Sequence, residues 1–122
     1  MANKAGLGGP AACAAFILVT LLAGGCGSSS STSAATANTC QQVSAVLSDG
    51  PDPGADPVGY AEAQILPLRQ ISTSDPALRT AIGQLADAYQ QFFASDGQSS
   101  SAKQAVASAS NRLNSICPGA AS

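Results

Sequence analysis

The stretch that decides the fold runs from residue 75 to residue 94 and reads "Asp75-Pro76-Ala77-Leu78-Arg79-Thr80-Ala81-Ile82-Gly83-Gln84-Leu85-Ala86-Asp87-Ala88-Tyr89-Gln90-Gln91-Phe92-Phe93-Ala94". Leu78, Ile82, Leu85, Tyr89 and Phe92 recur at steps of four, three, four and three, which lays them along one stripe of an α-helix. Asp75 offers a carboxylate to the first unpaired N–H groups. Pro76 suits the first helical position, where a missing N–H costs nothing. The pattern predicts a helix from Pro76 to Ala94.

The same signals extend in both directions. After it, Ala102, Val106, Ala109, Leu113 and Ile116 repeat the stripe and predict a helix from Ala102 to Cys117. Ser101 and Gln104 there fit a capping box. Before it, Val58, Ala61, Ile65 and Leu68 predict a helix from Pro57 to Ser72, capped by Asp56. Pro67 falls inside that helix. It removes one hydrogen bond and crowds the carbonyl four residues back, so a kink or break is expected, with the stripe resuming beyond it. A further capping box, Thr39 with Gln42, predicts a short first helix from Cys40 to Ser48.

The links between these segments are dense in turn formers, and the last two are short, which favours antiparallel neighbours. The expected fold is all-α: a small antiparallel four-helix bundle over residues 40–117, with residues 118–122 as a disordered C-terminus. In an up-down-up-down order the first helix starts at the end where the fourth finishes. Cys40 and Cys117 occupy those two places and are expected to form a disulfide. The alternatives are two free thiols or a metal site with too few ligands.

Composition excludes several function classes. The chain has 122 residues, 10% of them charged, with a formal charge of −2 and no histidine. No basic patch is available to neutralise phosphates, so no nucleic-acid partner is expected. The missing histidine removes the commonest general base and transition-metal ligand. The polar helix faces are built from glutamine, serine and alanine, which gives no electrostatic steering.

The N-terminal segment stands apart from the fold. Lys4 precedes an apolar run of 13 residues, Ala11 to Ala23, set between glycines on both sides. That is shorter than the roughly 20 residues a transmembrane helix needs, and the order of parts is that of an export signal. "Leu22-Ala23-Gly24-Gly25-Cys26" resembles the lipobox of bacterial lipoprotein precursors, although Ala23 stands where leucine is usual and Leu22 lies one place further back. The resemblance covers only about the first 27 residues. It implies removal of residues 1–25 as a lipoprotein signal peptide, a diacylglyceryl group on the Cys26 thiol, and a protein held at the extracytoplasmic face of the cell membrane. The rival is an ordinary secretory signal cut at Ala35-Thr36-Ala37. Two acyl chains anchor stably where one does not. Residues 26–39 then read as the lipidated cysteine followed by a serine- and threonine-rich tether.

The search for chemistry returns little. Ser100 and Lys103 fit an S-x-x-K spacing, but the companion S-D-N and K-T-G elements are missing, and a cap at Ser101 would leave Ser100 outside the helix. Asp49, Asp52, Asp56 and Glu62 lack the spacing of a calcium loop, and capping explains two of them. No cofactor is expected. Tyr89 and Phe92 fall on the core stripe; Tyr60 and Phe93 are the candidates for a contact surface.

The expected function is a non-enzymatic binding or accessory domain, membrane-anchored in the cell envelope, with an envelope protein as partner. The alternatives are a carrier or sensor of a small apolar ligand inside the bundle, and a plainly secreted helical protein.

Overall fold

The computed structural model describes residues 33–122. The signal segment, Cys26 and most of the proposed tether lie outside the described residues. Four helices follow one another: α1 (Ala34–Leu47), α2 (Pro57–Gln70), α3 (Pro76–Ala94) and α4 (Ser100–Ile116). No strand occurs among the described residues. None of the described helices is long and apolar enough to cross a membrane.

α3 is the centre of the bundle, packed against both α2 and α4. Leu78, Ile82, Leu85 and Tyr89 of the stripe are buried, and so are Ala81, Ala86 and Ala88 beside it. The small side chains widen the buried face, because alanine lets a neighbouring helix approach without leaving a void. Ala61 and Leu68 of α2 and Ala102, Ala109 and Leu113 of α4 complete the core around it. Asp75 caps α3 as the sequence predicts, its Oδ1 accepting from the N–H groups of Ala77 and Leu78 at 2.9 and 3.1 Å. Asp56 caps α2 in the same way through Gly59 N–H at 2.8 Å. α2 continues past Pro67, as the stripe suggested, and ends one turn later at Gln70, short of the expected Ser72.

Two predicted starts are corrected. α1 begins at Ala34, not at Cys40, with Ser33 as its cap accepting from Thr36 N–H at 3.2 Å. Thr39 is not a cap; it lies inside the helix, where its hydroxyl donates to Ala35 O at 3.0 Å. Ala34, Ala35 and Ala37 are strong helix formers that composition alone had assigned to a tether. The extra turns bury Thr36 and Thr39, and the Thr36 hydroxyl donates to Asp75 Oδ2 at 3.3 Å. The second correction is at α4, which is capped by Ser99 rather than Ser101. Ser99 Oγ accepts from Ala102 N–H at 3.1 Å and lies 2.8 Å from Ser101 Oγ. Ser100 is therefore helical and shares a turn with Lys103, contrary to expectation, although both are exposed.

The earlier start of α4 follows from how α3 ends. Gly97 N–H donates to Phe92 O, and Asp96 N–H to Phe93 O, both at 2.9 Å. This is a Schellman motif, with Asp96 and Gly97 both at positive φ. A Cβ at Gly97 would lie 3.1 Å from Val58 Cγ2 and 3.2 Å from Phe92 Cζ, so the turn also needs glycine for space.

Residues 118–121, expected as part of a disordered C-terminus, form turns after α4. Ala120 N–H donates to Cys117 O at 3.0 Å, and Asn114 Oδ1 accepts from Ala121 N–H at 2.8 Å. Ala120 is buried.

Cys40 and Cys117 form the predicted disulfide, with Cα atoms 5.4 Å apart and a sequence separation of 77. Loop-closure entropy assigns such a bridge about 4.5 kcal/mol of stabilisation. α1 makes far fewer packing contacts than the other helices, so it depends most on this link.

Reduction, or the Cys40→Ser change, is expected to lower unfolding free energy by up to about 4.5 kcal/mol in a denaturant titration. Hydrogen exchange should rise first in α1. Ser99→Ala should cost about 1 kcal/mol by the loss of its cap, while Ser101→Ala should cost a few tenths at most. A larger loss at Ser101 than at Ser99 would return the cap to Ser101.

Candidate functional site

Tyr60 stands on the first turn and a half of α2, a place fixed by the Asp56 cap and Pro57. Its hydroxyl donates to Leu47 O at 2.7 Å. Leu47 is the last residue of α1, so its carbonyl has no helical donor and Tyr60 supplies one. The Tyr60 ring meets Tyr89 of α3 edge to face, with centroids 5.8 Å apart and planes at 85°. That geometry suits the quadrupoles of the two rings and is worth about 0.5–1.5 kcal/mol beyond area burial. Tyr60 thus joins three helices, and its role is partly structural.

A groove of about 260 Å³ opens beside this pair. Tyr60, Tyr89 and Phe92 form its aromatic wall, with Val106 of α4 opposite. Pro53 and Pro57 from the α1–α2 connection close one side, and Lys103 stands at the rim. Three rings, two prolines and a branched aliphatic make an apolar, rigid surface with a single cation beside it. Such a surface holds a flat or apolar group by contact area and selects for an acceptor or an anion at one end.

Of the two residues singled out for a contact surface, the structure places Tyr60 in this groove and Phe93 outside it. Phe93 is half-buried on α3. Its neighbour Phe92, read as core from the stripe, is half-buried: it packs against the core and also lines the groove. The Schellman turn follows directly on it, so the final stripe position is only partly covered. The aromatic at the end of a stripe, next to a glycine turn, is the signal that could have marked it. Among the described residues, no group of three or more Cys, Asp or Glu side chains converges to hold a metal ion.

Burial governs the ionisation of both tyrosines. It pushes the Tyr89 phenol well above its ordinary value of 10.0, with the adjacent Tyr60 as a second cause. It raises Tyr60 as well. The unfolded chain therefore ionises first as pH rises. The contribution of these groups is fully present below pH 10.0 and is lost above it, as pH climbs toward the folded-state values. Stability is expected to fall in alkali above that point, and phenolate absorbance to appear together with unfolding. Tyr89→Phe should flatten the alkaline loss; a phenolate titration near the ordinary value in the folded protein would contradict the burial of Tyr89.

Comparison with protein-family models, with curated proteins and with solved structures finds no match to this chain.

Proposed function

We propose that the chain is a membrane-anchored lipoprotein of the cell envelope. Its helical domain is an antiparallel up-down-up-down bundle that binds a partner without catalysing a reaction. The observation that carries the reading is the apolar run ending in "Leu22-Ala23-Gly24-Gly25-Cys26", ahead of a small disulfide-bonded domain. A disulfide persists in an oxidising compartment, which agrees with export. The alternating order of helices is supported by which ends touch. Thr36 in the first turn of α1 reaches Asp75, the cap of α3, and Cys40 in the middle of α1 reaches Cys117 at the finish of α4. The finish of α1 reaches Tyr60 near the start of α2, and Tyr60 reaches Tyr89 in the second half of α3.

The aromatic groove is the proposed contact surface, with Tyr60 and Phe92 at its centre.

A carrier with its ligand inside the bundle is the weaker reading. The aromatic groove opens at the surface, and its volume is below the roughly 300 Å³ where pockets for drug-sized ligands begin.

Cys26→Ala is expected to move the protein from the membrane to the soluble or secreted fraction, measured by fractionation and immunoblotting. A wild-type protein that is already soluble would indicate plain secretion. A variant that stays on the membrane would remove the lipid anchor from the proposal.

A further inference from the structure

Lys103, in the first turn of α4, is the one charged residue that lines the aromatic groove. No carboxylate holds its ammonium elsewhere, because the one ion pair among the described residues joins Arg69 and Asp87. The carboxylates nearest in sequence to the groove's prolines are turned to their own backbone. Asp52 Oδ1 accepts from Gly54 N–H at 2.7 Å, and Asp56 Oδ1 from Gly59 N–H at 2.8 Å. Asp96, beyond Phe92, does not line the groove. No acidic side chain stands in the first turn of α4, so the partial positive charge of that helix end adds to Lys103. The chain as a whole carries a formal charge of −2, yet the charge at this groove is positive.

The walls ask for a different group. The Tyr60 hydroxyl is committed to Leu47 O, which leaves ring surface as what Tyr60 offers a ligand. The Lys103 stem is apolar and flexible, so it can lie along the wall while its ammonium meets an anion at the mouth. With about 260 Å³ and an opening at the surface, the groove has room for one large side chain, and the rest of a longer ligand stays outside.

We infer that the groove takes the C-terminal residue of a partner polypeptide. An aromatic or large aliphatic side chain lies among Tyr60, Phe92 and Val106, and the free α-carboxylate meets Lys103. An internal apolar residue brings no charge, and an aspartate or glutamate brings little apolar surface. A chain end ending in an apolar residue carries both on one residue. The inference rests on the reading of this groove as the contact surface and does not depend on the lipid anchor.

The test is a titration of the full chain, in nonionic detergent, with acetyl-glycyl-glycyl-phenylalanine and with its C-terminal amide. Binding is followed by nuclear magnetic resonance at the Lys103 and Val106 amides and the Phe92 ring. The free acid is expected to shift these signals saturably, and the amide to bind about two- to fivefold more weakly. Lys103 is exposed, so Lys103→Met keeps the fold and the stem and removes the charge. It should bring the acid down to the affinity of the amide, and about 1 M sodium chloride should do the same to the unaltered chain. Equal affinities of acid and amide would overturn the carboxylate and leave the groove as a contact surface of another kind. The absence of saturable shifts with either peptide would remove the groove as well. Phenylpropanoate binding more tightly than the tripeptide would overturn the chain end in favour of a small free acid.

Discussion

The burial of α3 on two sides is the constraint on which the rest of the fold depends. A helix that packs against one neighbour needs one apolar stripe. α3 packs against α2 and α4 at once, and its stripe is widened by Ala81, Ala86 and Ala88. Leucines at 78 and 85 fill the interior with no exposed surface. The alanines between them keep the helices close, which compensates for a core with few large side chains. The position of α2 is set by Ala61 and Leu68 against this surface, and that of α4 by Ala102, Ala109 and Leu113.

α1 is attached by a different kind of force. Val43 and Leu47 are its buried apolar residues, too few to fix a helix of 14 residues by area alone. Specific bonds do the remainder: Thr36 to Asp75, Tyr60 to the Leu47 carbonyl, Gln64 to the Asp49 carbonyl, and the Cys40–Cys117 bridge. Each links α1 or its exit to another element, and together they clamp both of its ends. The covalent link matters most here because it constrains the unfolded chain and does not rely on surface area. Small domains commonly need such a staple.

The helices and the bridge were legible because they follow local and periodic rules. The stripe at Leu78, Ile82, Leu85 and Tyr89, the Asp-Pro starts at 56 and 75, and the placement of Cys40 and Cys117 each pointed to what the structure contains. What was not legible depended on long-range partners. The stretch before Cys40 looks like a solvated linker because serine, threonine and alanine suit one. It is helical because Thr36 and Thr39 find buried places once Asp75 is beside them. Gln64 is polar and so dropped out of the apolar count, although its spacing of three from Ala61 and four from Leu68 put it on the same face. Phe92 fits the stripe by number, but where a stripe ends is decided by the turn that follows, not by the helix itself.

The irregular features of the domain lie where a helical rule is interrupted. At Asp96-Gly97 the chain leaves α3 through two residues at positive φ, and Phe92 just before them is half-buried and shares the groove with Tyr60. At Pro67 the helix continues without one of its donors, next to a glutamine with an oxygen to spare. Uninterrupted helices satisfy their own backbone and bury their own stripe, so they have little left to offer a ligand. In a domain with so few charged and aromatic residues, the groups left without helical partners are therefore concentrated at its irregularities. The aromatic groove offers apolar contact beside one cation, Lys103. The weak overall charge contributes almost nothing to attraction at a distance, which leaves shape and local contacts as what these surfaces offer.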